Sequence, residues 1–205
     1  TYISHLTSHI FIWTEGGKRI GMGHVCRDIV IAKALKKKRC VPIFLINNDT
    51  AAVERIKNNG FKWFLADFNN KRIPENILRF SRPDVFLDTK KDITLIMDKL
   101  KDAGSRLILL DNTTNARLKA DINIYPAAHF DFMNDLDWSD FKGKIYGGGD
   151  YVPVDEVFFK AREKAKGLNH SLPFKILVTM GGADPNNLTG MVVSALKNIK
   201  DDIEV

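Results

Sequence analysis

The sequence predicts an α/β protein in which helices cover both faces of a parallel sheet. Short apolar runs alternate with amphipathic stretches along most of the chain, which is the pattern of repeated β-α-β units. Two of the apolar runs lead into glycine-rich turns that open helices, and two others end in aspartate. With 205 residues, of which 44% are hydrophobic and 27% charged, the chain can bury one core and begin a second.

The elements follow one another in a regular order from the amino end. Apolar runs predict strands at HIFIW (9–13), CVPIFLIN (40–47), KWFL (62–65), DVFLD (84–88), RLILLD (106–111), ADINIYP (120–126) and FKILVTM (174–180). Helical periodicity predicts helices over about 24–38, 50–60, 92–104, 155–167 and 188–199. The first helix places Val25, Ile29, Ala32 and Leu35 on one face. The pattern is weakest over 129–144, and GGGDYVP (147–153) is typical of a turn cluster.

The last part of the chain begins a second unit. We expect residues 1–167 to form the first domain, and 168–205 to hold a linker, LNHSLP, and the first β-α unit of another domain. One strand and one helix cannot bury a core of their own. The sequence is therefore expected to be a piece of a longer protein.

Composition narrows the classes of partner and the compartment. No apolar run approaches the roughly 20 residues that span a bilayer, and the amino end lacks the pattern of a signal peptide. The two cysteines, Cys26 and Cys40, match no metal-ligand spacing and are expected to be reduced thiols of a cytoplasmic protein. His5 and His9 lie four residues apart without a third ligand, so no metal site is expected.

The net charge of +6 alone would permit nucleic acid, an anionic membrane surface or a phosphorylated small molecule as partner. Much of the excess lies in KALKKKRC, at the end of a predicted helix, where lysine favours the negative end of the helix dipole. Aromatic and arginine residues are not interleaved as they are in single-strand binders, so nucleic acid is not expected. A peripheral membrane contact stays open, and the oligomeric state is not predicted.

The two glycine turns point to a phosphate-bearing ligand. A helix N-terminus offers free N–H groups and partial positive charge, and glycine lets a phosphate approach the backbone. GMGHVC lacks the third glycine of a dinucleotide fingerprint, and GGKRIGMG lacks the Lys-Ser/Thr of a P-loop. Redox cofactors and ATP hydrolysis are therefore not expected, and no cofactor is predicted.

Three kinds of side chain near these turns are candidates for chemistry. His24 falls in the first turn of its helix, where the dipole favours a neutral ring, so it is either a general base or a helix cap. Arg27 lies on about the same helical face and is placed to pair with an anion or a carboxylate. Asp88 and Asp111 each end a strand, where parallel sheets bind ligands, although each could instead cap a turn.

The segments IGMGHVCRDIVIAKAL, GGGDYVP and ILVTMGGADPNNLTG occur in this order over nearly the whole chain. Together they resemble the UDP-sugar hydrolase family of the pseudaminic acid pathway and its relatives of spore coat polysaccharide biosynthesis. The resemblance implies a two-domain, GT-B-like architecture of Rossmann-like halves, with the active site between them and most of the nucleotide on the second. It also implies a UDP-linked amino sugar as substrate.

The resemblance assigns roles to residues of this chain. It makes His24 the base that activates water for inverting attack on the anomeric carbon, with Gly21 and Gly23 shaping the loop around the sugar. It places four residues of the second glycine turn in the donor site, where helix N–H groups would stabilise the departing UDP: Gly181, Gly182, Asp184 and Asn187.

One position departs from the family pattern. Where the hydrolases have tyrosine in an Asp-x-Tyr arrangement, this chain has Lys90, which could contact a phosphate but would not replace the tyrosine hydroxyl. The leading expectation is a nucleotide-sugar hydrolase of surface polysaccharide or nonulosonic acid biosynthesis. The alternatives are a GT-B glycosyltransferase that uses a UDP-sugar donor, and a noncatalytic nucleotide-sugar binding domain.

Overall fold

The computed structural model describes residues 8–126, 134–166, 173–180, 184, 186–199 and 203–204. Its strands are β1 (His9–Thr14), β2 (Val41–Ile46), β3 (Lys62–Leu65), β4 (Asp84–Asp88), β5 (Arg106–Leu110), β6 (Ile122–Tyr125), β7 (Lys144–Gly147), β8 (Phe174–Lys175) and β9 (Ile203–Glu204). Its α-helices are α1 (Gly23–Lys37), α2 (Thr50–Asn58), α3 (Glu75–Leu78), α4 (Thr94–Asp102), α5 (Glu156–Ala165) and α6 (Leu188–Leu196). Short 3₁₀ turns cover 68–70, 115–119 and 149–151.

Seven strands form one fully parallel sheet in the order β3-β2-β1-β4-β5-β6-β7. β1 lies inside the sheet and pairs with β2 on one side and β4, the middle strand, on the other. The chain builds outward from β1 to β3 and then returns to start β4 beside β1. This reversal creates a switch point between the carboxyl ends of β1 and β4, which is where open α/β sheets bind ligands.

Each face of the sheet has its own hydrophobic core, as the expected fold class requires. One face packs the buried side of α1 and α2 through residues such as Val25, Ile29 and Ile56. The other face packs α4 through Ile96, Met97 and Leu100. The central strands are buried on both faces, which explains why their sequences read as continuous apolar runs. The predicted Rossmann-like α/β class is confirmed.

Two parts of the chain differ from the sequence prediction. The run FKILVTM was expected to be a buried strand, but among the described residues only Phe174–Lys175 pairs, with β9, and Leu177 is 89% exposed. An apolar run forms a full strand only where neighbouring strands and a covering layer accept it, and among the described residues this run has only the two-residue β9 beside it and stays largely exposed. β7 was missed because its short sequence, KIYG, lies exposed at the sheet edge and carries no alternation.

Candidate active site

A glycine loop joins β1 to α1 at the switch point. Gly17 and Gly21 exchange backbone hydrogen bonds of 3.0 and 2.7 Å, and Gly21 has a φ of +86°, which glycine adopts without strain. A Cβ on Gly16 would lie 2.5 Å from a methyl group of Val25, so the loop can approach α1 only with glycine there. Asn47 anchors Gly16 by accepting from its N–H and donating to its carbonyl, both at 2.9 Å.

The loop delivers His24 to the carboxyl end of β4. His24 is the second residue of α1, and its Nδ1 lies 2.7 Å from Oδ1 of Asp88, the last residue of β4. The Asp88 side chain is fully buried, and the His24 side chain is 16% exposed. In a neutral imidazole, a hydrogen bond from Nδ1 to this carboxylate leaves the lone pair on Nε2. A terminal nitrogen of Arg27 also lies 3.1 Å from Nδ1. This histidine–aspartate pair fits a general base better than a helix cap.

Arg27 holds the same carboxylate from the next turn of α1. Its Nε donates to Asp88 Oδ2 at 2.6 Å, and one terminal nitrogen donates to Oδ1, which makes a bidentate pair. Burial would raise the pKa of Asp88, but the hydrogen bonds and charges of Arg27 and His24 lower it below its usual value. Burial would likewise lower the pKa of Arg27, but Asp88 raises it. Asp88 is therefore ionised and Arg27 cationic.

The second predicted aspartate, Asp111, follows β5 and joins the cluster. Its φ of +54° turns the chain sharply, and its carboxylate lies 3.2 Å from an Arg27 nitrogen. Lys90 reaches it from the β4–α4 loop, with Nζ 2.7 Å from both Asp111 Oδ2 and the Asp111 carbonyl oxygen. The Lys90 side chain is 58% exposed. The structure thus brings His24, Arg27, Asp88, Lys90 and Asp111 together at one edge of the sheet.

Sequence reasoning missed Asp28, which lies beneath this cluster. Its side chain is fully buried, although it follows Arg27 directly. Burial and the neighbouring Asp88 raise the pKa of Asp28 well above its usual value. The signal was available in the spacing, because position 28 is three residues after Val25 and so falls on the apolar face of α1.

A second overlooked group holds the β4–α4 loop. The Asn112 side-chain amide donates to the carbonyl oxygens of Thr89 and Lys91 at 2.7 and 2.9 Å, and the Tyr125 hydroxyl donates to the Asn112 carbonyl at 2.6 Å. Lys91 pairs with the nearly buried Glu15 at 2.6 Å. No motif in the sequence marks these residues, since each contact joins parts of the chain that are far apart in sequence.

Among the described residues, no hydrogen bond or ion pair joins the predicted donor-site residues of the second glycine turn to this cluster. Gly181 and Gly182 lie outside the described residues. Asp184 accepts from the backbone N–H groups of Leu188 and Thr189 at 2.8 and 3.0 Å, so its carboxylate caps α6. Asn187 precedes α6 with a left-handed φ of +49°.

A cavity opens beside the site between α1 and α5. It measures about 490 Å³, within the range of small-molecule sites, and its walls include Gly23, Arg27 and Phe158. Lys33 joins the two helices by an ion pair of 2.9 Å with Asp155. In the described part of the chain, no cluster of histidine, cysteine and carboxylate side chains is arranged to hold a metal, and no helix is long and apolar enough to cross a membrane.

Comparison with known proteins places this geometry in context. No protein-family profile matches the chain. It is 29% identical over 201 residues to the uncharacterized protein MJ1062 of Methanocaldococcus jannaschii, covering 96% of this chain and 41% of that protein. It is 24% identical over 206 residues to the spore coat polysaccharide biosynthesis protein SpsG of Bacillus subtilis, covering 94% of this chain and 56% of SpsG. The chain spans about half the length of these curated relatives.

The fold is also found in a solved structure. The crystal structure of MurG from Acinetobacter baumannii matches with a TM-score of 0.57 and 12% identity, over 95% of this chain and 58% of MurG. This likeness supports the expected GT-B-like architecture, of which the chain represents about half. Of the two sequence relatives, SpsG is named for spore coat polysaccharide biosynthesis, and MJ1062 carries no functional name. Neither is named as a UDP-sugar hydrolase, so the hydrolase activity stays a prediction.

Proposed function

We propose that this chain carries the catalytic half of a GT-B-type enzyme of polysaccharide biosynthesis that transfers a sugar from a UDP-linked amino sugar. The observation that carries the proposal is the His24–Asp88 pair, 2.7 Å long, at the switch point of the sheet. A histidine oriented by a buried carboxylate is the arrangement by which proteins remove a proton from a hydroxyl group. The relation to SpsG, named for spore coat polysaccharide biosynthesis, favours a sugar as the reacting group.

The proposed step begins with Nε2 of His24. It accepts the proton of an acceptor hydroxyl, whose oxygen forms a bond to the anomeric carbon of the donor from the face opposite the leaving group. The bond between that carbon and the diphosphate oxygen breaks, and its electron pair leaves with UDP. The imidazolium that results is stabilised by the ionised Asp88, which Arg27 keeps in place.

Cationic side chains and backbone N–H groups around His24 would stabilise the negative charge of the donor and of the departing UDP. The N-cap residue Met22 makes no side-chain hydrogen bond, and no acidic residue lies in the first turn of α1, so the positive helix terminus is left for an anionic ligand. Gly21 and Gly23 leave open space where a Cβ would project. We assign Lys90 and Arg27 to the negative charge of the donor, with Asp111 holding both cations in position.

The second glycine turn is assigned to the nucleotide. Gly181 and Gly182 would let the diphosphate approach the backbone. Asp184 and Asn187 order the start of α6, and through it the turn that carries the two glycines. We place the enzyme in the cytoplasm, in keeping with reduced Cys26 and Cys40.

Hydrolysis is the second candidate, and the Gly-x-Gly-His-x-x-Arg motif of Gly21 to Arg27 favours it through its resemblance to the UDP-sugar hydrolases. Water would replace the acceptor hydroxyl, and the same nitrogen of His24 would take its proton. The two reactions differ only in the nucleophile. A noncatalytic nucleotide-sugar binding domain is the remaining alternative.

The deciding experiment measures UDP release from a UDP-linked 2,4-diacetamido sugar by the native-length protein, with and without sugar acceptors. His24→Ala is the test variant, and His9→Ala is the matched control, because His9 begins β1 at the opposite edge of the sheet. Release that requires both an acceptor and His24 supports transfer, and release without acceptor that requires His24 supports hydrolysis. Binding without turnover in either protein would contradict both.

A further inference from the structure

The buried carboxyl group of Asp28 has surroundings that an ionised carboxylate does not tolerate. Its side chain is fully inaccessible to solvent, and within the described residues neither of its oxygens receives a hydrogen bond of regular geometry from any donor. An ionised carboxylate buried without donors is costly, and proteins resolve this by pairing or by protonation. Protonation of Asp28 would remove the charge that these surroundings do not stabilise.

The polar neighbours of Asp28 come from each element packed against it. The Asp88 carboxylate faces it from β4, and the buried Thr14 hydroxyl faces it from β1. Arg27, on its own helix, approaches as a charge, but its guanidinium directs its hydrogen bonds to Asp88 and Asp111, and one terminal nitrogen also lies 3.1 Å from His24 Nδ1. His24 Nδ1 contacts Oδ1 of Asp88 at 2.7 Å. Asp28 thus has a neutral donor within reach, the Thr14 hydroxyl, and an anionic acceptor, Asp88, beside it.

With His24 neutral, the charges of the cluster balance only when Asp28 is neutral too. Arg27 and Lys90 supply two positive charges, and Asp88 and Asp111 supply two negative ones. A third carboxylate would place like charges side by side in a buried site, which shifts a proton onto one member of the pair. Asp88 has the arginine and the histidine as partners, so the proton belongs to Asp28.

We propose that Asp28 is a protonated positioning residue whose carboxylic acid donates a hydrogen bond to Asp88 and fixes that carboxylate toward His24. The carboxylate then has partners on every side: the arginine fork, the imidazole and the acid beneath it. This inference rests on the proposed function, because it assigns Asp28 to orienting the base of that reaction.

The protonation state is tested without any substrate. The infrared spectrum at pH 7 is expected to contain the carbonyl band of a protonated carboxylic acid that disappears in Asp28→Asn. The Asn variant also carries no titrating group, so its folding equilibrium constant relative to the parent should rise with pH above about 4, by up to about tenfold per pH unit. Asp102→Asn, at the exposed end of α4, is the matched control and should show neither change. Absence of the infrared band would overturn the proposal.

The positioning role is tested through two replacements. Asp28→Asn keeps an N–H donor toward Asp88 and should retain kcat and KM, whereas Asp28→Leu fills the space without a donor and should lower kcat by about tenfold or more with KM unchanged. The hydrogen-bonded Nδ1 proton of His24, observed by NMR, should persist in the Asn variant and be lost or displaced in the Leu variant. Equal kcat in both variants, or equal loss in both, would refute the role.

These readouts separate the two proposals. If the Leu variant does not fold, the infrared band and the behaviour of the Asn variant still decide the protonation and the rescue. If the native-length protein releases no UDP, the proposed function fails, while the infrared band, the folding equilibrium and the Nδ1 proton still decide the role of Asp28.

Discussion

Replacing Asp88 by asparagine tests the centre of the site with a change of one atom. The variant keeps the shape of the side chain but removes its charge, so Arg27 loses its bidentate anionic partner and is left with the Asp111 carboxylate, at 3.2 Å, as the anion that pairs with it. His24 Nδ1 loses the anion that fixes its tautomer.

The structure sets the size of the expected effect. The Asp88 side chain is fully buried and Arg27 is 21% exposed, and breaking such a buried pair costs about 3 kcal/mol or more of unfolding free energy. In catalysis, a base whose orienting carboxylate is lost should slow by about a hundredfold or more. Stability and turnover should therefore fall together.

The same strand provides a matched control. Asp84, at the other end of β4, makes an equivalent bidentate pair with Arg106 at 2.8 and 2.6 Å, but Arg106 is 60% exposed. Asp84→Asn should cost less than about 1 kcal/mol, because solvent screens the pair. Urea unfolding of both variants and of the parent, with UDP release assayed in parallel, provides the comparison. If Asp88→Asn were no more destabilising than Asp84→Asn, or kept the parental turnover, the assignment of Asp88 would be refuted.

Three other outcomes follow from the same geometry. Because the folded state lowers the pKa of Asp88, its stabilisation should be fully present above about pH 4 and disappear as the pH falls further, so the parent and Asp88→Asn should converge in acid unfolding curves. Gly16→Ala should lower the free energy of unfolding by about 1–3 kcal/mol, because the new Cβ collides with Val25. Gly23→Ala has free space around its Cβ and should not destabilise the fold. Equal shifts of the two melting temperatures would contradict this reasoning. Lys90→Met should change stability by less than about 1 kcal/mol yet weaken UDP binding measured by calorimetry, and unchanged affinity would remove Lys90 from the donor site.

The sequence predicts the fold well because its interior strands are continuous apolar runs that are easy to recognise. Runs such as Ile10 to Trp13 are buried on both faces, and the helices between them carry clear apolar stripes. β7 and the FKILVTM segment were mistaken because their pairing depends on what lies beside them, which local pattern does not contain.

The site was predicted in part for a related reason. His24, Arg27, Asp88 and Asp111 are candidates by position, since each lies near a helix start or a strand end on the carboxyl edge of the sheet, and the family resemblance adds the role of His24. The burial of Asp28 is harder to predict, because a charged residue in an amphipathic helix normally faces solvent. Only its spacing of three residues from Val25 places it on the buried face of α1. Asn112 acts through backbone more than twenty residues away, and short-range pattern carries no trace of such a contact.

The order of the strands also determines when the site can exist during folding. His24 and Asp88 are 64 residues apart in sequence and meet only when β4 docks beside β1. Contacts of such sequence separation form late, because the chain must close a long loop before any of them stabilises it. A folding intermediate that contains only β1 to β3 and their helices would have most of one hydrophobic core, but His24 would lack the carboxylate that orients it. The His24–Asp88 contact therefore reports that the sheet is complete. During refolding it should form at the same time as β4 pairs with β1.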